Sequence, residues 1–462
     1  MEPRMRGVLM QFAAASSAVL MYMSCGVFIG WTSPVLPYLQ GASSHIPMSA
    51  ADASWLVSTM SLAMAAAVVP SVVAVERLGR KTALLLCAPP LLASWLMVAL
   101  AHDAALLFVA RALGSVSVGV AFMTTPMYLG EIAEDRLRGA VTTLYQVLLN
   151  VGTLYCYAVG AYVSFATLAW ACLAPPLAFA ASFLWMPESP YFLAMRGRDA
   201  EAERSLMRLR GADDPKAVEQ EMKRVLQTVE EHKSSSVAPT LIFTDPTHRR
   251  ALTYSICFIL LQSSSGVMVL VSYAADIFAR SGAALDVSVS SMVLGAVQTA
   301  MSAVAAAVVD RAGRRPMLLA SCAGCTVSLA AVGAYFYLAN TGADVSSLGW
   351  LPLSALVVYV VFNSLGIGPL TWVVPAELLH PSVKGVGTCL MTVVLGLYGF
   401  AVVRLFQVVA DAPELGEHVA FWAFAVCCAL GFVFVLLVLP ETKGKSFLQI
   451  QQELQRKANS PG

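Results

Sequence analysis

Four polar side chains stand in stretches that are otherwise apolar: Gln146 in LYQVLLNVG, Gln262 at the head of QSSSG, Asn363 in VFNSLG and Trp372 at the end of GPLTW. An amide both donates and accepts hydrogen bonds, and an indole donates beside a flat apolar face. Such groups break no bonds. Their chemistry is directional hydrogen bonding, aimed at a bound solute or, as interhelical glue, at a neighbouring helix. One cation, Arg111, also lies in an apolar run. A buried arginine there acts as a gating charge or as a donor to hydroxyls and backbone carbonyls.

A second constellation is charged, and it occurs twice. VERLGRK at 75–81 is matched by VDRAGRR at 309–315, EIAEDRLRG at 131–139 by ELLHPSVKG at 377–385, and PESP at 187–190 by PETKG at 440–444. The first copy supplies Arg77, Arg80, Glu131, Arg138 and Glu188; the second supplies Arg311, Arg314, Glu377, Lys384 and Glu441. Three boundary motifs repeated in one order imply an internal duplication. Acids and bases on separate helix ends can pair when the ends converge and part when they separate, which biases a two-state equilibrium. The plainer reading of any one base is that it only sets topology, but acids contribute little to topology.

The elements that position these groups follow from composition. The chain has 462 residues, 58% hydrophobic and 12% charged, with a mean hydropathy of +0.72. A soluble domain is about a quarter charged. Windows of roughly 19 residues pick out twelve segments long enough to cross a bilayer. They lie near 12–38, 54–75, 82–101, 104–127, 140–163, 166–187, 250–275, 288–309, 316–339, 350–375, 384–409 and 419–440. Lipid requires all of them to be helices. The first is too long for a cleaved signal and runs on without a cleavage pattern. The expected architecture is therefore an all-α polytopic membrane protein of twelve helices in two six-helix pseudo-repeats. Its parts are an N-terminal domain (1–187), a linker (188–249) with two short surface helices, a C-terminal domain (250–440) and a tail (441–462).

Of the 29 lysines and arginines, all but Arg111, Arg280 and Arg404 fall on one side of the membrane if the N-terminus does. That asymmetry places both termini in the cytoplasm. The ten cysteines have no zinc-site spacing, and no GxxxxGK[ST] loop is present. These features predict no metal, no cofactor, no nucleotide and no nucleic-acid partner. Nothing in the sequence indicates an oligomeric state.

The paired motifs, with PMYLGEIAEDRLRG at 126–139, resemble the sugar porter family of the major facilitator superfamily. GWTSPVLPYL at 30–39 resembles the insect facilitated trehalose transporter-like branch. The resemblance implies two six-helix domains that alternate access to a central site, in a plasma-membrane protein that is no enzyme. It matches Gln146, Gln262 and Trp372 to sugar-binding positions and leaves Asn363 as a further polar group in the tenth span. The match is incomplete: Ser263, Met268, Thr371, Leu395 and Gly396 stand where the family pattern has other residues. No acid occurs between Glu2 and Asp52, so Arg111 lacks the first-span carboxylate that accompanies proton symport in the family. The expected function is uniport of a hexose or trehalose. The alternatives are a sugar sensor without flux, or a facilitator of another small organic solute.

Overall fold

A backbone amide finds no partner in lipid, so a chain this apolar crosses a membrane only as helix. Among the described residues of the computed structural model, every regular element is helical. The structure describes residues 3–234, 241–281, 285–379, 381–412, 415–439 and 441. Among the described residues, eleven helices are long and apolar enough to span a bilayer. They are α1 (Met5–Gln40), α2 (Ala50–Leu78), α3 (Arg80–Ala99), α4 (Ala104–Ile132), α6 (Phe165–Phe183), α7 (Pro246–Ser281), α8 (Val287–Ala312), α9 (Arg314–Asn340), α10 (Ser346–Leu378), α11 (Pro381–Ala410) and α12 (Glu417–Leu437). Between α4 and α6 runs α5 (Asp135–Gly160), whose 26 residues give it the length but which carries Gln146 and Asn150. With α5 the expected twelve segments are all present.

Local sequence sets the helix starts. Asp103, Asp245 and Asp286 accept backbone N–H groups at the beginnings of α4, α7 and α8, at 2.7, 2.7 and 2.8 Å. An aspartate at this position satisfies amides that have no partner within the helix. Five spans are interrupted, among them α3 at Leu86–Cys87 and α6 at Leu173, both with helical backbone angles. The first bends at Trp31. The seventh breaks at Ser265–Gly266, where Gly266 has φ 84°, and kinks again at Tyr273 (φ −117°, ψ 17°). The tenth breaks at Gly366. There Ser321 of α9 donates to the Phe362 carbonyl at 2.7 Å and accepts the Ile367 N–H at 3.0 Å, so the freed backbone groups stay satisfied.

The chain forms two compact units. The first holds Met1–Phe28, Ala63–Gly152 and Val163–Val237. Helices run over Asp199–Arg210 and Glu219–Ser234. With Pro190–Met195 they close a small core around Phe192, Leu206, Met222 and Val225. Arg210 pairs with Glu221 at 2.6 Å and donates to the Ile132 carbonyl at 3.0 Å. Gly7 of α1 lies so close to the Arg210 carbonyl that a Cβ would overlap it, and Arg6 pairs with Asp213 at 3.3 Å. The connector is thus docked onto the start of α1.

The second unit holds Ile29–Leu62, Thr153–Tyr162 and Ala238–Gly462. Its core is aromatic, with Tyr273, Phe278, Phe336, Tyr359, Phe406 and Phe421 all buried. Three helices, α1, α2 and α5, therefore contribute one end to each unit.

Candidate functional site

In the first unit Gly79 joins α2 to α3 with φ 98°. A Cβ there would run into the Glu188 carboxylate and the Phe192 ring. The turn leaves Arg80 only 5% exposed, with its Nε and Nη2 donating to both Glu131 oxygens at 2.9–3.1 Å. A guanidinium held by two parallel bonds is fixed in orientation as well as in charge. The Ser189 hydroxyl donates to the same carboxylate. Glu188 accepts the N–H groups of Lys81 at 2.9 Å and Ser189 at 2.8 Å. Burial raises its carboxyl above the ordinary range, an effect those two N–H groups offset only in part. The Arg80 guanidinium also lies 5.3 Å from the centre of the Phe192 ring.

The second unit repeats this arrangement. Gly313 has φ 92°, and a Cβ on it would stand 3.0 Å from a Glu441 oxygen. Glu441 accepts the N–H groups of Arg314 at 3.0 Å and Arg315 at 3.2 Å, as Glu188 does at the start of α3. Arg314 pairs with Glu377 at 3.2 Å, as Arg80 pairs with Glu131. Arg77 and Arg311 are exposed. The side chains of Arg138 and Lys384 lie outside the described residues. In both units the pairs join helix ends of the same unit.

The embedded polar groups divide between the units. Gln146 lies half-buried on α5 in the first. Gln262, Asn363 and Trp372 lie in the second, where the break in α7 links two of them. Ser265 donates its hydroxyl to the Gln262 carbonyl at 2.7 Å and receives the Asn363 amide at 3.4 Å. Tyr359, one turn before Asn363, donates to the Ser265 carbonyl at 2.9 Å. Gly266 closes the turn against Phe424, where a Cβ would come within 2.7 Å of the ring. Next to this network the Gln262 Oε1 and Ser263 Oγ atoms are buried with no hydrogen-bond partner. Trp372 is half-buried on the second segment of α10, and Ser264 shares a 2.8 Å hydrogen bond with Tyr398 of α11.

Arg111 is 1% exposed on α4. It donates to the Phe28 carbonyl at 2.7 Å, and its guanidinium sits 4.1 Å from the centre of the Phe28 ring.

The sequence reading missed two groups. Tyr359 carried a signal, its four-residue spacing from Asn363, which puts both on one helix face. The second group surrounds Arg280, which reads in sequence as an isolated loop base. It sits at the end of α7 and pairs with Asp276 at 3.0 Å, Asp411 at 3.0 Å and Glu417 at 3.1 Å. Asp411 and Glu417 arrive from the ends of α11 and α12, so only the fold brings them together.

Residues 10–454 match the model of a family described as sugar (and other) transporters. The chain belongs to that family. It is 33% identical over 448 residues to a facilitated trehalose transporter of Aedes aegypti, covering 96% of this chain and 55% of that protein. A facilitated trehalose transporter of Culex quinquefasciatus is 32% identical over 457 residues, covering 98% of this chain and 87% of the other. The chain thus spans about half the length of some relatives and most of others. Among solved structures, the partially occluded inward-open xylose transporter XylE of E. coli superposes with a TM-score of 0.78 at 19% identity, covering 94% of this chain and 99% of that one. A proton:xylose symporter XylE bound to 6-bromo-6-deoxy-D-glucose also gives 0.78, at 20% identity, covering 97% and 99%. The fold is the two-repeat, twelve-span fold of the major facilitator superfamily, and the family is one of transporters.

Proposed function

We propose that the protein is a facilitative transporter of a sugar, a hexose or trehalose, working by alternating access between six-helix domains at 1–187 and 250–440. The observation that carries this reading is the Gln262 Oε1, a buried acceptor without a partner inside a membrane span. An unpaired acceptor in such a place costs about 1–3 kcal/mol. A solute hydroxyl relieves that cost. Asn363, Trp372 and Gln146 supply the remaining donors and an aromatic face, and the trehalose transporters among the relatives favour the sugar assignment. No acid occurs between Glu2 and Asp52, so α1 carries no carboxylate to take up a transported proton, which favours uniport.

In this reading Arg77, Arg80, Glu131, Arg138 and Glu188, with Arg311, Arg314, Glu377, Lys384 and Glu441, form a gate at the cytoplasmic face. Both termini lie on that side, in the plasma membrane. The test is uptake of labelled glucose and trehalose into vesicles holding the purified protein, with and without a pH gradient. Saturable uptake indifferent to the gradient is expected. Gradient-dependent uptake overturns uniport, sugar binding without uptake makes the protein a sensor, and no sugar binding overturns the substrate class.

A further inference from the structure

In the first unit α3 and α6 pack side by side and turn apolar rows outward. Leu86 and Leu96 of α3 are exposed, and so are Trp170 and Leu177 of α6 and Leu184 just beyond it. The last three recur every seven residues, so they share one helix face. That row ends at Trp185, which is 66% exposed. An indole at the end of a membrane span marks the level of the lipid headgroups.

Basic side chains meet this indole from two elements. The Arg208 guanidinium, on the helix Asp199–Arg210, donates to the Trp185 carbonyl at 2.5 Å. Lys81, in the first turn of α3, stands in the field of the Arg208 charge. Arg204, one turn before Arg208, donates to the Ala200 carbonyl of its own helix at 3.1 Å. Arg80, Arg198 and Arg210 each have a carboxylate partner. Among the described residues, no carboxylate stands within ion-pair distance of Lys81, Arg204 or Arg208. Glu188, the acid that also acts on Lys81, is engaged by the backbone amides of Lys81 and Ser189. A base that only set topology would have no need to fold back onto the end of a span, as Arg208 does.

We propose that Lys81 and Arg208, beside Trp185, seat the phosphate-bearing headgroup of an anionic phospholipid. Arg204 adds charge, and the acyl chains lie along the apolar rows of α3 and α6. The leaflet is the one at the α2–α3 turn, cytoplasmic under the topology proposed above. Guanidinium and ammonium groups both form charge-assisted bonds to phosphate. The rows leading up to the bases favour a lipid, because a free phosphate ester would have no use for them. A zwitterionic lipid brings its own cation into the cluster and gains less. The seat does not depend on which solute the protein carries.

The test weighs lipids bound to the full-length protein by native mass spectrometry from detergent, with phosphatidylserine and phosphatidylcholine titrated in turn. The first phosphatidylserine is expected to bind about fivefold to twenty-five-fold more tightly, since one base near a membrane surface contributes about fivefold. Lys81→Gln keeps the backbone amide that Glu188 accepts, and together with Arg208→Gln it should erase the preference. If that pair fails to fold, Lys81→Gln alone takes its place, with an expected loss of about fivefold. Lys81→Arg keeps the charge and should keep the preference. Arg198→Gln with Lys223→Gln also removes two positive charges, but both bases are already paired, at 2.6 and 2.7 Å, so the preference should stay. Equal binding of the two lipids by the unaltered protein overturns the seat, as does a preference that survives the loss of Lys81 and Arg208. An equal loss in the Arg198 and Lys223 variant overturns it too, since net charge would then explain the attraction. Displacement of the lipid by an equal concentration of soluble glycerophosphoserine overturns the lipid assignment in favour of a free phosphate ester.

Discussion

Gln262 and Glu131 are both side chains whose value lies chiefly in one partner. For Gln262 that partner is the proposed solute. Replacing it with alanine removes the acceptor and is expected to raise the half-saturation constant roughly tenfold, as a lost buried hydrogen bond would. Binding measured by calorimetry checks this. For Glu131 the partner is Arg80, and Glu131→Ala leaves a nearly buried guanidinium uncompensated. That variant should lose about 3 kcal/mol of stability, read as a lower unfolding temperature in detergent. At this scale the sequence was legible wherever a polar residue interrupted an apolar run, as at Gln146, Gln262 and Asn363. It was opaque at Ser265, and at Tyr359 it offered only the four-residue spacing from Asn363. Tyrosine and serine are ordinary residues in membrane helices, and only the turn at Gly266 gives these two a shared task.

The helices themselves followed from hydropathy, but their breaks did not. The windows near 250–275 and 350–375 read as continuous spans, whereas α7 is interrupted at Ser265–Gly266 and Tyr273 and α10 at Gly366. The reason is physical. A break inside lipid survives only if another helix satisfies the exposed backbone, and the residues that do so are distant in sequence. Ser321→Ala is therefore expected to destabilise α10 by about 1–3 kcal/mol, since it strands the Ile367 amide and removes a donor from Phe362. Hydrogen exchange across 362–371 should rise while exchange in α12 stays unchanged. Arg280 ties α7, α11 and α12 through three carboxylates. Arg280→Gln leaves the three acids facing one another and should cost about 2 kcal/mol, and Arg280→Lys should restore only part of it because an ammonium lacks the planar fork.

At the scale of the whole molecule, the duplication was legible because the boundary motifs recur in order. The same geometry recurs with them: a left-handed glycine, an arginine on a helix-end glutamate, and a second glutamate capping the next helix. If these pairs form the gate, replacing Glu131 and Glu377 together with glutamine should lengthen label distances across the cytoplasmic face. An unchanged distribution would leave the pairs as structural fasteners of each unit. What the sequence did not disclose was the assignment of α1, α2 and α5 to both units, since hydropathy carries no information about which helices a span touches. The docking of the connector onto the start of α1 has a consequence in time. Arg6 meets Asp213 across 207 residues of chain. At synthesis rates of about 5–20 residues per second, the leading turn of α1 waits roughly 10–40 s for its partner to leave the ribosome. During that interval the nascent protein presents an unfinished helix end, a period in which chaperones and insertion machinery have their longest access to it.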